Sequence, residues 1–209
     1  MMGKAGKYVA IVAVVGAFVA GTYLYYRSQW EHSKRLRAVR PGEFYRSGQM
    51  TAEGFTETVR RLGIRTIINV QDDVPDPSLR QGWRGKISET ELCKQLGVRY
   101  IALAPDLQPR TTPGGPRPKV IDEFLKIMDD PDAYPVLIHC KAGLHRTGVL
   151  CGVWRMEYDG WSNAQAFVEL REHGFGNTAC TRSNDYVSQY VLDYKPRMGR
   201  PGLALLKAR

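Results

Sequence analysis

The sequence predicts an α/β fold: a single domain with a central, mostly parallel sheet flanked by helices, preceded by one N-terminal transmembrane helix. Three observations carry this expectation. Short apolar, β-branched runs at 67–70, 98–103 and 135–138 alternate with stretches at 51–62, 87–96, 119–128 and from Thr147 onward that suit helices. Strands separated by helices pair in parallel through right-handed crossovers. With 209 residues, 43% of them hydrophobic, the chain can bury one sizeable core and still carry an appendage. The appendage is residues 8–26, nineteen consecutive positions without a charge.

Taken in order, residues 1–7 form a short basic N-terminus, and the uncharged run at 8–26 follows, rich in Val and Ala. At about 1.5 Å per residue it just spans a bilayer core of about 30 Å. Tyr8 at one end and Tyr23, Tyr25, Tyr26 and Trp30 at the other resemble interfacial aromatic belts. The competing reading is a cleaved signal peptide, but cutting after Val15-Gly16-Ala17 would bisect the run. An uncleaved, single-pass anchor is therefore expected. Lys4, Lys7 and the amino terminus stand against Arg27, Lys34, Arg35, Arg37 and Arg40, a balance that places the following domain on the cytoplasmic side. Residues 27–40 read as a basic juxtamembrane linker, either a solvated spacer or a contact to acidic lipid.

The domain is expected over residues 41–194. Thr51 caps a helix at 51–62, and residues 67–70 form a strand. A helix at 87–96 leads to the strand at 98–103, and a proline-rich loop at 109–118 leads to a helix at 119–128. The strand at 135–138 is apolar throughout, as in a strand buried on both faces. From Thr147 the residues Val149, Leu150, Val153, Trp154 and Met156 are spaced as a helix spaces a buried face. Amphipathic helices at 162–172 and 183–194 close the core, and residues 195–209 read as a loose basic tail.

Residues 139–148, His-Cys-Lys-Ala-Gly-Leu-His-Arg-Thr-Gly, join the buried strand to the helix and carry the chemistry. The turn ends at a helix N-terminus, where unpaired N–H groups and the positive end of the helix dipole favour an anion. Cys140 stands at the carboxyl end of the strand, where ligands gather in open α/β sheets. Helix N-termini and neighbouring cations favour the thiolate of such a cysteine. Arg146, six positions on, offers a planar fork that grips two phosphoryl oxygens at once. Gly143 lets the backbone turn its amides inward. The Thr147 hydroxyl is near enough in sequence to hydrogen-bond the thiolate. A lone cysteine at a strand end reads by default as a buried structural residue; cysteine, glycine, arginine and threonine at these offsets reverse that.

This loop resembles the Cys-x5-Arg-Ser/Thr signature of the cysteine-dependent protein tyrosine phosphatase superfamily, and the short domain resembles its dual-specificity branch. The opening Pro41-Gly42-Glu43-Phe44-Tyr45-Arg46-Ser47-Gly48-Gln49 and the later Leu62-Gly63-Ile64-Arg65-Thr66-Ile67-Ile68-Asn69-Val70 are similar to those of bacterial and fungal atypical members. The resemblance covers roughly residues 40–194 and implies a two-step reaction without metal or cofactor. Cys140 attacks phosphorus, a phosphocysteine forms, and water hydrolyses it. It also implies a phosphate-binding loop made of Lys141, Ala142, Gly143, Leu144, His145 and Arg146, with His139 ordering the loop; a satisfied core histidine is nearly the same statement.

The resemblance further implies a general acid, an Asp on a loop upstream of the nucleophile. Asp106, in Ala104-Pro105-Asp106-Leu107-Gln108-Pro109, is the candidate. Its competing reading is a turn former or helix cap, and Asp72 and Asp73 are rival acids. Lys141 and His145 add charge to the rim. Lys141-Ala142-Gly143 resembles tensin-type phosphoinositide phosphatases, and His-Arg-Thr-Gly resembles fungal and plant enzymes acting on inositol pyrophosphates. Either Lys141 selects substrate, with Arg110 or Arg117 contacting further phosphates, or it is a solvated rim residue.

Thirty basic against twenty-one acidic residues give a net charge of +9, which favours anionic partners. Phosphorylated protein, inositol phosphate or phosphoinositide substrates fit, as does a membrane contacted through the N-terminal helix. No zinc-spaced cysteines, RNA-binding signature or helix-turn-helix pattern is visible, so no nucleic acid partner is expected. A rhodanese-class sulfurtransferase also uses a loop cysteine, but Arg146-Thr147 after five intervening residues and Asp106 upstream argue against it. A phosphate-binding module without turnover is disfavoured because Cys140 and Arg146 are both present. The four cysteines, Cys93, Cys140, Cys151 and Cys180, fit either redox compartment.

Overall fold

The computed structural model describes residues 4–71, 74–82, 85–109, 115–176 and 185–198. Five strands make the central sheet, in the order β1 (Arg37–Arg40), β2 (Phe44–Gly48), β7 (Val136–Cys140), β3 (Thr66–Asn69), β6 (Arg99–Ala102). β2, β7, β3 and β6 run parallel, and β1 adds an antiparallel edge to β2. A separate antiparallel ribbon joins β4 (Ser78–Arg80) to β5 (Lys86–Ser88). The expected mostly parallel sheet is present, and β7 lies at its centre with every residue buried.

The helices follow the local signals. α2 (Ala52–Leu62) starts at Thr51, whose hydroxyl accepts from the Gly54 amide, and stops at Gly63, at φ +63°. α3 (Glu89–Leu96) is capped by Ser88, so the expected helix at 87–96 gives up Ile87 and Ser88 to the ribbon. α4 (Lys119–Met128) and α5 (His145–Trp154) pack with the sheet, and α5 runs on as a wider π-helical turn over Arg155–Asp159. α6 (Asn163–Glu172) begins with a reciprocal cap between Ser162 and Gln165. The last expected helix is a 3-10 turn at Asp185–Ser188 followed by the short α7 (Gln189–Leu192). Two apolar clusters result, one on each face of the sheet. The larger gathers Phe44, Phe124, Trp154 and Tyr190, and the smaller gathers Phe55, Ile67, Leu92 and Leu137.

α1 (Lys4–Arg27) is apolar on all sides, and Val9, Val12, Phe18 and Leu24 stand exposed along it. It is the one helix among the described residues long and apolar enough to cross a membrane. It continues as a π-helical turn over Ser28–His32.

Two expected boundaries move. The basic linker at 27–40 is not a spacer: after His32 only residues 33–36 precede β1, where Arg37 and Ala38 face Arg46 and Tyr45 of β2. The basic tail is not loose at its start either. The Arg197 guanidinium meets Glu157 Oε2 at 3.0 Å and Asp129 Oδ2 at 2.6 Å, and its backbone N–H donates to Glu157 Oε1 at 2.8 Å. Glu157 is fully buried, so a charged partner is what its carboxylate requires there.

Candidate active site

β7 delivers His139 and Cys140 to the carboxyl edge of the sheet, between Gly48 of β2 and Asn69 of β3. Cys140 is 4% exposed and lies at the floor of a cleft of about 230 Å3. Lys141, Ala142, His145 and Arg146 line it together with Leu107, Gln108, Tyr186 and Val187.

The loop is shaped by what holds its carbonyls. Lys141 O accepts from the Gln49 amide at 3.3 Å and Leu144 O from the Gly148 amide at 3.0 Å. Between them, Ala142 O accepts from Arg35 Nη1 at 2.9 Å and Gly143 O from Arg46 Nη2 at 2.8 Å. In a planar trans peptide the N–H points opposite the preceding C=O. The carbonyls of residues 141–143, held by Gln49, Arg35 and Arg46, therefore turn the amides of residues 142–144 to the opposite side, while the Leu144 carbonyl makes the first bond of α5. The Gly143 amide accordingly donates to Cys140 Sγ at 3.2 Å. Gly143 has φ +72°, and a methyl group there would lie 2.5 Å from Ser47 O and 2.6 Å from the Gly48 nitrogen. Glycine is required on both counts.

Two buried polar residues brace this arrangement from below. His139 Nε2 and Glu89 Oε1 are 2.7 Å apart with both side chains sealed, and the imidazole stands edge-on to Phe55. Arg46, 3% exposed, also faces His173 Nδ1 at 3.5 Å. Burial, then the charges of Arg46 and Arg37, pushes the His173 imidazole down to about 4. A neutral His173 is what a buried guanidinium tolerates beside it.

The structure brings together Cys140, Lys141, Ala142, His145 and Arg146 at one cleft, with Gly143 and the buried Leu144 shaping the loop. It treats two candidates differently. The Thr147 hydroxyl is sealed and has no hydrogen-bond partner among the described residues, so the expected bond to the Cys140 sulfur is not made. Asp106 is exposed, and its carboxylate accepts from the Lys119 amide at 2.9 Å and the Val120 amide at 3.1 Å, capping α4. Arg117 is engaged by Asp122 and by Lys195 O. Asp72, Asp73, Arg110 and Cys180 lie outside the described residues.

Arg35, Arg46 and Glu89 were not singled out from the sequence. Arg46 lay inside the Tyr-Arg-Ser-Gly stretch quoted above, which was a signal for it; Glu89 has the look of an ordinary first-turn helix acid. Cys93, Cys140 and Cys151 are free thiols. Burial raises both Cys93, which the charge of Glu89 raises further, and Cys151, each to about 12.

Comparison with known proteins agrees with this geometry. A family model described as a DSP-PTPase phosphatase fused to NAD+ kinase matches residues 26–185. The inositol diphosphatase DSP5 of Arabidopsis thaliana is 34% identical over 133 residues, 62% of this chain and 57% of its own length. The dual specificity protein phosphatase TpbA of Pseudomonas aeruginosa is 26% identical over 179 residues, 80% of this chain and 72% of its own. The crystallised catalytic core of the PP-IP phosphatase SIW14 from S. cerevisiae superposes with a TM-score of 0.56 at 23% identity, over 83% of this chain and 92% of that one, a likeness of fold. The chain spans little more than half the length of the plant relative, 57%. With Cys140 and Arg146 lining one cleft, the Gly143 amide on the Cys140 sulfur and a family model matched over residues 26–185, the chain belongs to this family of dual-specificity-type, cysteine-dependent phosphatases.

Proposed function

We propose that the chain is a membrane-anchored phosphomonoester hydrolase that works through a phosphocysteine on Cys140, with its catalytic domain on the cytoplasmic side. The observation that carries this is the loop itself: a nearly buried thiol under inward-turned amides at a helix N-terminus, with Arg146 beside it in the cleft. Cys140 Sγ attacks phosphorus in line, the S–P bond forms as the ester P–O bond breaks, and the amides and Arg146 hold the non-bridging oxygens. Water then cleaves the S–P bond and returns the thiolate.

Asp106 is the proposed donor of the proton to the leaving oxygen. It directly precedes Leu107 and Gln108, which line the cleft. To act, its carboxyl group leaves the Lys119 and Val120 amides. Asp106→Asn keeps one of the two acceptors that hold the Lys119 and Val120 amides but cannot supply the proton, so its kinetics are read against its stability. A fall in kcat at unchanged stability supports the acid; unchanged kcat removes it.

Phosphotyrosine or phosphoserine/threonine in proteins is the first substrate reading, supported by the likeness to TpbA, a dual specificity protein phosphatase. Lys141 and His145 on the cleft wall support a second, an inositol phosphate or phosphoinositide, as does the likeness to plant inositol diphosphatases. The test is phosphate release by the full chain in detergent from an aryl phosphate, phosphopeptides, phosphoinositides and soluble inositol phosphates. Cys140→Ser abolishes it. Lys141→Ala impairs a polyphosphorylated substrate more than an aryl monophosphate if Lys141 selects substrate, and equally if it does not. No phosphate release, together with sulfur transfer from thiosulfate, refutes the whole reading.

A further inference from the structure

The contact between Arg35 and Ala142 O joins two parts of the chain that the sequence sets far apart in role: the stretch leaving the anchor and the loop holding the nucleophile. Its surroundings are built rather than incidental. The carbonyl of Lys34 accepts from the Gly48 amide at 2.7 Å, and that of Glu31 from the Thr51 amide at 3.2 Å. The Arg35 guanidinium lies 4.5 Å from the centre of the Trp30 ring, and His32 Nε2 meets Glu57 at 2.7 Å. Lys34 and Arg35 have φ of +26° and +60°, a conformation side chains other than glycine seldom take and that surrounding contacts must hold.

Two glycines make room for the strap. A methyl group at Gly48 would press on the Lys34 stem at 2.9 Å and on Ala142 at 3.1 Å, and one at Gly54 would collide with His32 O. Residues 33–36 are thus seated on the end of β2 and on the loop. Burial lowers the Arg35 guanidinium from its ordinary value while the charge of Cys140 raises it, so the cation is close enough to feel the nucleophile.

We propose that Arg35 is a positioning residue of the phosphate loop, which makes the strap leaving the anchor a working part of the site. By holding Ala142 O outward, Arg35 fixes the peptide that turns the Gly143 amide onto Cys140 Sγ. Arg46 does the same for the next peptide from beneath the sheet. One of the two arginines belongs to the domain and the other to the segment that leaves the membrane. The proposal rests on the phosphatase reading of the Cys140 loop.

The experiment compares the full chain in detergent micelles with Arg35→Ala, Arg35→Lys and Trp30→Ala, using an aryl phosphate as substrate and vanadate as inhibitor. Activity of the unmodified protein decides the phosphatase reading by itself, so the variants test Arg35 alone. For Arg35→Ala, kcat/KM falls about tenfold, as expected for one lost charge-assisted hydrogen bond, and the vanadate inhibition constant rises by a similar factor. Arg35→Lys recovers part of both, since an ammonium can still reach one carbonyl, and Trp30→Ala shows a smaller change in the same direction. A fall in maximal rate with KM and the vanadate constant unchanged would mean only that less protein is folded, and would overturn the proposal. Unchanged kinetics in Arg35→Ala would overturn it as well. If Arg35→Ala cannot be folded, the Trp30→Ala and Arg35→Lys constants decide by the same criterion.

Discussion

Glu89, at the start of α3, and His139, one residue before Cys140, meet at 2.7 Å with neither side chain reaching solvent. The outer atoms of the pair, Glu89 Oε2 and His139 Nδ1, have no further partners among the described residues. This hydrogen bond ties α3 to β7 beside the apolar contacts of Leu92 and Cys93 with the cluster that holds Leu137.

Breaking such a pair by removing one member strands the other in the core, at about 3 kcal/mol or more. Glu89→Ala should therefore lower the melting temperature by roughly 10 °C, measured by thermal denaturation followed by circular dichroism. Glu89→Gln keeps a neutral hydrogen-bonding group and should lose less than half as much. Equal losses in the two variants would show that packing, and not the hydrogen bond, holds this corner.

Gly143→Ala meets two obstacles at once, the left-handed backbone and the Ser47 carbonyl at 2.5 Å. The loop must shift, and displacement of catalytic groups by about 1 Å costs on the order of 100-fold. Steady-state assay of this variant should show a loss of at least that size in kcat/KM, with the sheet intact by circular dichroism.

The thiols should differ sharply in reactivity. Cys93 and Cys151 are raised to about 12 by burial, so both remain protonated at neutral pH. Cys140 lines the cleft beside Lys141 and Arg146. Brief iodoacetamide treatment of the folded protein, followed by peptide mapping, should modify Cys140 well before either of the others. Labelling of Cys151 at a comparable rate would contradict the burial of α5.

His173 predicts a pH dependence of stability with a definite sign. In the unfolded chain it takes up a proton near 6.5, whereas the folded protein resists until about 4. Between those values the unfolded state binds more protons, so this residue makes the fold less stable as pH falls through the window. Urea midpoints measured across it should decline less steeply in His173→Gln than in the unmodified protein.

Much of this was legible in the residues themselves. Thr51 announced α2, the apolar stretch before Cys140 announced the central strand, and the spacing of Cys140, Gly143 and Arg146 announced the loop. β1 was missed because Arg37-Ala38-Val39-Arg40 is an edge strand that buries only Val39, and edge strands carry charges in place of an apolar run. Ile87 was assigned to the wrong element because one apolar residue beside a cap suits a short strand and a first helical turn equally. Glu89, Arg35 and Arg46 escaped for a different reason. Each acts on a residue about 50 or more positions away in the chain, and local periodicity says nothing about partners at that separation. Asp106 shows the converse: its sequence context suits both a cap and an acid, and the hydrogen bonds it makes here are those of the cap.

The clamp of Arg197 on Glu157 and Asp129 makes the core around α5 depend on a residue beyond α7. The Glu157 carboxylate is sealed in the core, and the guanidinium that meets it stands 40 positions further along the chain. A chain cut before Arg197 would therefore leave a buried carboxylate without its cation, so this residue marks how far the domain can be trimmed.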